Sequence, residues 1–277
     1  MEVIKMHGLG NDFIVAEASS FQDAIKFQPY AVKLCDRHFG IGADGLILTG
    51  KDEDQDVFMR IFNPDGSEPE MCGNGIRCVA LYARRYGLVD RDSFSIKTLA
   101  GPRFPEIYKE AGQEWIRVDM GEPELDRQKI PAAGQGSNIA MTLTAAGREF
   151  LCTAVSMGNP HAIIYVDDIN SVPLTEWGPQ IETHKMFPEK TNVEFVKVIN
   201  EEELEAVVWE RGAGITLACG TGACAILVAS VLNGQSHRRA IIRLPGGELV
   251  IEWDQEDNHV YMSGPAVEVF RGTIEIE

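Results

Sequence analysis

The chain has 277 residues, 44% of them hydrophobic and 24% charged, the balance of a soluble globular protein with a sizeable core. A formal net charge of -17 sets the average surface against phosphate backbones and anionic membranes, so neither nucleic acid nor membrane is an expected partner. No apolar run approaches the ~18 residues of a membrane span, and the start at Met1 lacks the basic and apolar regions of a secretory signal; a cytoplasmic location is expected.

In chain order, strands are expected through Val3-Ile4 and Phe13-Ile14-Val15, a helix over about Tyr30 to His38, and strands near Leu46-Ile47-Leu48 and Val57 to Phe62. A second helix should run from about Gly73 to Tyr86. Its apolar residues Ile76, Val79, Ala80 and Ala83 recur at helical spacing, and Arg84 and Arg85 fall near its C-terminus, where the dipole favours cations. Glu122 to Gly136, rich in Pro, Gly and charge, reads as a connection. Further strands are expected over Ala162 to Val166, Val193 to Val196 and Ala206 to Trp209. The helix that follows, from about Gly220 to Leu232, is apolar on nearly every side and so should be buried. The alternation Val267, Val269, Ile274, Ile276 reads as a last strand or hairpin that returns to the first half.

The two halves repeat one another. Met71-Cys72-Gly73-Asn74-Gly75 resembles Ala218-Cys219-Gly220-Thr221-Gly222, with the cysteines 147 positions apart (219 − 72). Phe62-Asn63 and Trp209-Glu210 keep that spacing, as do the glycines Gly87 and Gly234 that end each apolar stretch; Gly10-Asn11 and Gly158-Asn159 come within one residue of it. So long a period indicates a duplicated domain rather than a solenoid. The expected architecture is α+β: two pseudo-symmetric halves, residues 1–118 plus 265–277 and residues 119–264, each a β-sheet or barrel wrapped around a central helix.

Six cysteines (Cys35, Cys72, Cys78, Cys152, Cys219 and Cys224) are too sparse for a disulfide scaffold in a chain of this length. The spacings from Cys72 to Cys78 and from Cys219 to Cys224 fit neither a zinc knuckle nor a redox C-x-x-C, so no metal is expected. Gly8-Leu9-Gly10 lacks the third glycine of a dinucleotide fingerprint. A lone cytosolic cysteine is usually a small core residue, and Cys35, Cys78, Cys152 and Cys224 keep that reading. Cys72 and Cys219 stand apart because each precedes a helix and is followed by Gly-X-Gly. A helix N-terminus lowers a thiol's pKa and cradles a carboxylate. Two such motifs in a duplicated fold imply two thiols facing one carboxylate from opposite sides. Inverting a stereocentre needs that arrangement: a thiolate on one face removes the α-proton and a thiol on the other returns one.

Several stretches extend this reading. Lys5-Met6-His7-Gly8-Leu9-Gly10-Asn11-Asp12-Phe13, Phe62-Asn63-Pro64-Asp65-Gly66-Ser67, Met71 to Cys78, Gly158-Asn159-Pro160-His161, Thr191-Asn192-Val193-Glu194, Glu210-Arg211-Gly212 and Ala218 to Gly222 closely resemble the diaminopimelate epimerase family, over essentially the whole chain. The resemblance implies interconversion of LL- and meso-2,6-diaminopimelate without pyridoxal phosphate or any other cofactor, in lysine and peptidoglycan precursor synthesis. It implies an active site in the cleft between the halves, closing on substrate, and a homodimer with Phe270 at the contact. Cys72 and Cys219 would be the acid–base pair, assisted by His161 and Glu210. Gly73, Asn74, Gly220 and Thr221 would hold the reacting carboxylate through their backbone, and Asn11, Asn63, Asn159, Asn192, Glu210 and Arg211 would bind the rest of the substrate. Plainer readings stand beside these: Asn11 and Asn159 as turn residues, His161 as a hydrogen-bonded core imidazole, Glu210 and Arg211 as a solvated pair. Gly45 departs from members of the family that carry glutamine there, which puts one binding contact in doubt. A racemase of the proline racemase type and a thiol-gated binding or redox-sensing protein are the competing functions.

Overall fold

A computed structural model describes residues 1–110 and 112–275; Ile276, expected in the last strand, lies outside the described residues. The chain divides into two compact units, Met1–Asp119 with Ser263–Glu277, and Met120–Met262.

In the first unit β1 (Glu2–Gly8) and β2 (Asn11–Glu17) form a hairpin. Both turn residues are left-handed, Leu9 at φ 56° and Gly10 at φ 83°, the type I′ geometry that matches strand twist and sets Asn11 at the head of β2. Helix α1 spans Gln28–Cys35, displaced from the expected Tyr30 to His38. It begins earlier because Pro29 suits a first turn that needs no N–H. It ends earlier because Asp36 turns extended and its carboxylate takes the N–H groups of His38 and Phe39, both at 2.7 Å. Strands β3 (Gly45–Lys51) and β4 (Val57–Phe62) lead to α2 (Gly73–Arg85), followed by β5 (Ile96–Thr98), β6 (Gly101–Arg103) and the hairpin of β7 (Glu106–Glu110) with β8 (Gln113–Asp119). Helix α2 packs on β1 to β4 and on β7 and β8, and is buried from Asn74 to Ala83, so the strands surround it as the duplication implied.

The second unit holds β9 (Met141–Ala145), β10 (Arg148–Ser156), β11 (Pro160–Tyr165), α3 (Leu174–Glu182), β12 (Asn192–Asn200), β13 (Glu203–Glu210), β14 (Gly214–Thr216), α4 (Gly220–Leu232), β15 (Arg239–Leu244), β16 (Gly247–Trp253) and β17 (Val260–Gly264). Its sheet runs β17-β16-β15-β13-β12-β11-β10-β9, with β14 beside β13. Helix α4 packs on β10, β11, β12, β15 and β16 and is buried continuously from Gly222 to Ser230, as its uniform apolarity required. The stretch expected as a connection, Glu122 to Gly136, instead belongs to this unit: Ile130 and Ala132 are buried in its core, and Glu124 bridges to Ser156. Its prolines and glycines mark irregular backbone, but two apolar side chains suffice to pin it.

Strand β18 (Val267–Thr273) completes the first unit as an edge strand on β1, giving the order β18-β1-β2-β3-β4-β5-β6. Tyr86 donates to Glu268 at 3.0 Å, and Met1 and Ile274 exchange backbone hydrogen bonds at 2.7 and 2.9 Å.

Candidate active site

Both singled-out cysteines are helix N-caps. Cys72 caps α2 at φ −138°, ψ 119°, and its Sγ accepts from the Gly75 N–H at 3.4 Å. Cys219 caps α4 at φ −118°, ψ 112°, and its Sγ accepts from the Gly222 N–H, also at 3.4 Å. Extended backbone at the cap followed by glycine at N3 lets sulfur fold back over the first turn, the role a hydroxyl usually plays. The other four cysteines are buried. Burial pushes Cys35 up to about 11 and Cys78 and Cys152 up to about 12, which keeps them neutral core thiols.

Amides surround Cys72. Its Sγ lies 3.9 Å from Asn11 Oδ1, which also accepts from Asn74 Nδ2 at 3.1 Å. Asn11 Nδ2 donates to Asp44 at 2.8 Å, and the fully buried Arg77 donates to Asn74 Oδ1 at 2.9 Å. Arginine only donates and a carboxylate only accepts, so the chain Arg77–Asn74–Asn11–Asp44 fixes how both amides face. Asp44 is in turn held by Arg37, which also grips Asp12. Asn63 follows β4 and closes a tight turn, its Nδ2 donating to Ser67 Oγ at 2.9 Å.

Acids and hydroxyls surround Cys219. Burial, then the charges of Glu210 and Glu194, raise this thiol well above its ordinary value, against the weaker pull of Thr221 and the Gly222 N–H. The helix terminus was expected to lower it. In this unit desolvation and two carboxylates outweigh the terminal half-charge. Glu210, at the end of β13, is itself raised by burial and by Glu194, although Thr216 donates to it at 2.5 Å.

His161, at the head of β11, is fully buried, with Nδ1 at 2.6 Å from Glu194 Oε1 and Nε2 at 3.0 Å from Asn159 Oδ1. Asn159 follows Gly158, left-handed at φ 91°, as Asn11 follows Gly10. Asn192, beside His161 in the sheet register, is buried and accepts from the Arg211 N–H at 2.9 Å while donating to Pro160 O at 2.9 Å. Arg211 is exposed, and its guanidinium donates to Glu189 O at 3.0 Å. Glu210 and Arg211 are therefore not a solvated pair: one turns inward to Cys219 and the other outward.

Phe270 is 47% exposed on the edge strand β18. Gly45 begins β3, where a Cβ would lie 3.2 Å from Phe62 O and 3.4 Å from Phe13 Cδ1, so a side chain such as glutamine there would crowd the backbone. Three participants were not singled out from the sequence. Asp44 orients Asn11, Thr216 holds Glu210, and Glu194 links His161 to the first turn of α4. Glu194 had left a trace, as the one charge in the otherwise apolar run Val193 to Val196. Among the described residues no cluster of His, Cys, Asp and Glu has the makings of a metal site, and no helix is long and apolar enough to cross a membrane.

Two compact units, each a sheet wrapped on a buried helix, define a class of α+β fold shared with solved structures. The chain resembles a Bacillus anthracis phenazine biosynthesis protein of the PhzF family (TM-score 0.75, 16% identity, 100% of this chain and 99% of that one). It also resembles a probable proline racemase from Agrobacterium radiobacter K84 (TM-score 0.71, 15% identity, 100% and 93%). Such identities establish the fold. Within that class the chain is an isomerase of the diaminopimelate epimerase family, whose model matches residues 3–125 and 153–269. The diaminopimelate epimerase of Heliobacterium modesticaldum is 53% identical over 279 residues, covering 99% of both chains.

Proposed function

We propose that this protein interconverts LL- and meso-2,6-diaminopimelate by a two-base proton transfer between Cys72 and Cys219, with no cofactor. The observation that carries the reading is the matched pair of N-capping thiols in a chain of this family. One sulfur, as thiolate, takes the α-proton, and the C–H electron pair remains on the α-carbon, delocalised toward the carboxylate. The other sulfur gives up its S–H proton on the opposite face and becomes thiolate in turn. The first-turn backbone of Gly73, Asn74, Gly220 and Thr221 would hold that carboxylate at the positive helix ends. Glu210 exchanges a proton with Cys219, and His161, backed by Glu194, assists. Asn11, Asn63, Asn159, Asn192 and Arg211 would bind the remaining groups, Arg211 pairing with the distant carboxylate. The boundaries 1–118 plus 265–277 and 119–264 would separate the two thiol-bearing halves.

The same reading places the protein in the cytoplasm, in lysine and peptidoglycan precursor synthesis, as a homodimer. Exposed Val267, Val269 and Phe270 on an edge strand support a dimer contact there. The test is incubation with LL-diaminopimelate in heavy water, resolving stereoisomers and α-deuterium, with proline as the control. Meso product with deuterium at the inverted carbon is expected. Racemised proline and untouched diaminopimelate would replace the reading with the proline racemase type.

A further inference from the structure

Helix α3 was not among the elements expected from the sequence, and its last residue does something the proposed chemistry leaves unassigned. Glu182 is only 6% exposed. Its Oε2 accepts from the Trp209 indole N–H at 2.8 Å and its Oε1 from the Gly212 backbone N–H at 3.2 Å. One carboxylate therefore grips the chain on both sides of Glu210 and Arg211. The helix also presses on the same ring: a Cβ at Gly178 would lie 2.5 to 2.8 Å from Trp209 atoms, so only glycine admits this approach. From the other side Asn192 takes the Arg211 N–H, and Ala213 N–H closes the turn on Glu210 O at 3.1 Å. Three consecutive N–H groups of an otherwise exposed turn are thus taken, two of them by buried side chains.

A buried carboxylate is a costly strut for a surface turn, since ionised groups lose hydration on burial. What it supplies is charge-assisted hydrogen bonding with fixed direction. Lys190, left-handed at φ 61° and 3.6 Å from Glu182, offsets part of the charge.

We propose that Glu182, through Trp209 and Gly212, is the positioning residue that holds the Glu210–Arg211 turn, so that Arg211 reads the distant head of the substrate. The proposal rests on the function given above; Glu210 keeps its own hold from Thr216 and from the pairing with Gly214, so the effect of the clamp falls on Arg211 and on binding rather than on proton transfer. Glutamine at position 182 keeps one acceptor and must give up either Trp209 or Gly212.

The test is steady-state kinetics on diaminopimelate with Glu182→Gln, Arg211→Ala and the double variant. Glu182→Gln should raise KM about tenfold with kcat within about twofold, and add less than about twofold to KM once Arg211 is removed. A loss carried by kcat, or a tenfold penalty that persists without Arg211, would overturn the positioning role. Trp209→Phe keeps the ring but removes the indole donor. It should raise KM about threefold, again only when Arg211 is present; an unchanged KM counts against the clamp even if Glu182→Gln fails to fold. A readout independent of turnover separates this proposal from the function beneath it. In 15N-labelled protein the Trp209 indole resonance, assigned by its loss in Trp209→Phe, should move in Glu182→Gln while the other indoles stay. If it stays put, the clamp is wrong whatever the enzyme does; if it moves but diaminopimelate is not turned over, the clamp stands and the function falls.

Discussion

The first turns of α2 and α4 have the same length of helix behind them and the same sulfur-to-backbone bond in front, yet their surroundings differ in kind. Cys72 is half-buried and faces Asn11 and Asn74, with a buried arginine one turn below. Cys219 is buried and faces Glu210, Glu194 and Thr221, above a helix with no charge at all. Backbone geometry was retained through the duplication while the side chains that decide a sulfur's charge diverged. A helix terminus offers about half a charge, and at Cys219 burial first, then two carboxylates, override it.

That comparison can be broken most directly at the sulfurs. Cys72→Ala and Cys219→Ala should each lower kcat by about 10²–10⁴-fold, the range for a positioned acid or base, in an epimerisation assay. A variant near normal turnover would show that one cap is merely structural. Next in size is Glu210→Gln, expected to cost about 10²-fold in kcat. It should also stabilise the fold. Burial, with the charge of Glu194, raises the Glu210 carboxyl, so ionising it costs more in the folded protein than in the unfolded chain. The penalty of ionising it is absent below the ordinary carboxylate range and grows as pH rises through the raised value. Thermal unfolding should therefore put the variant a few degrees above wild type at pH 8, with the gap closing toward pH 4.

A smaller contrast comes from the two N3 glycines. A Cβ at Gly222 would meet Glu194 Oε1 at 2.8 Å and Cys219 Sγ at 3.2 Å. At Gly75 it would meet Ile47 Cδ1 at 3.0 Å and Met59 Cε at 3.1 Å, both ends of flexible side chains. Gly222→Ala should lower kcat about tenfold, whereas Gly75→Ala should keep turnover within about twofold and cost about 1–3 kcal/mol of stability by chemical denaturation. The smallest effect on rate is expected behind Cys72. Burial pushes Asp12 up, but hydrogen bonds from Arg37 and Lys5 prevail and bring its carboxyl from 3.8 to about 2. That stability, about 1 kcal/mol once solvent screening of the half-exposed Arg37 is allowed for, is present above pH 4 and lost as pH falls through about 2. Asp12→Asn should show the same loss at neutral pH and a flatter acid limb in unfolding.

Helices α2 and α4 and the cysteines that cap them were legible because their signals are local. Gly-X-Gly after a cysteine and an apolar run of helical length need no knowledge of distant residues, and the offset between copies exposed the duplication. Residues acting through a partner far along the chain were hidden. Asp44 reaches Asn11 across a parallel strand pairing, and Glu182 reaches Trp209 from a short helix with Pro179 inside it, which disguised the helix. The thiol-lowering expectation for Cys219 failed because the folded sheet buries that sulfur and because the glutamates that also oppose it lie on β12 and β13. Glu122 to Gly136 misled through composition alone: two buried apolar residues outweighed eleven polar or turn-forming ones.

Strand β18 has a consequence for how the protein is made. The second unit is one continuous stretch of chain and needs no later segment to complete it. The first unit must wait, because β1 finds its neighbour on one side only when β18, which follows the whole of the second unit in the chain, has been made. Until then its edge stands open, ready to pair with a strand of another nascent chain.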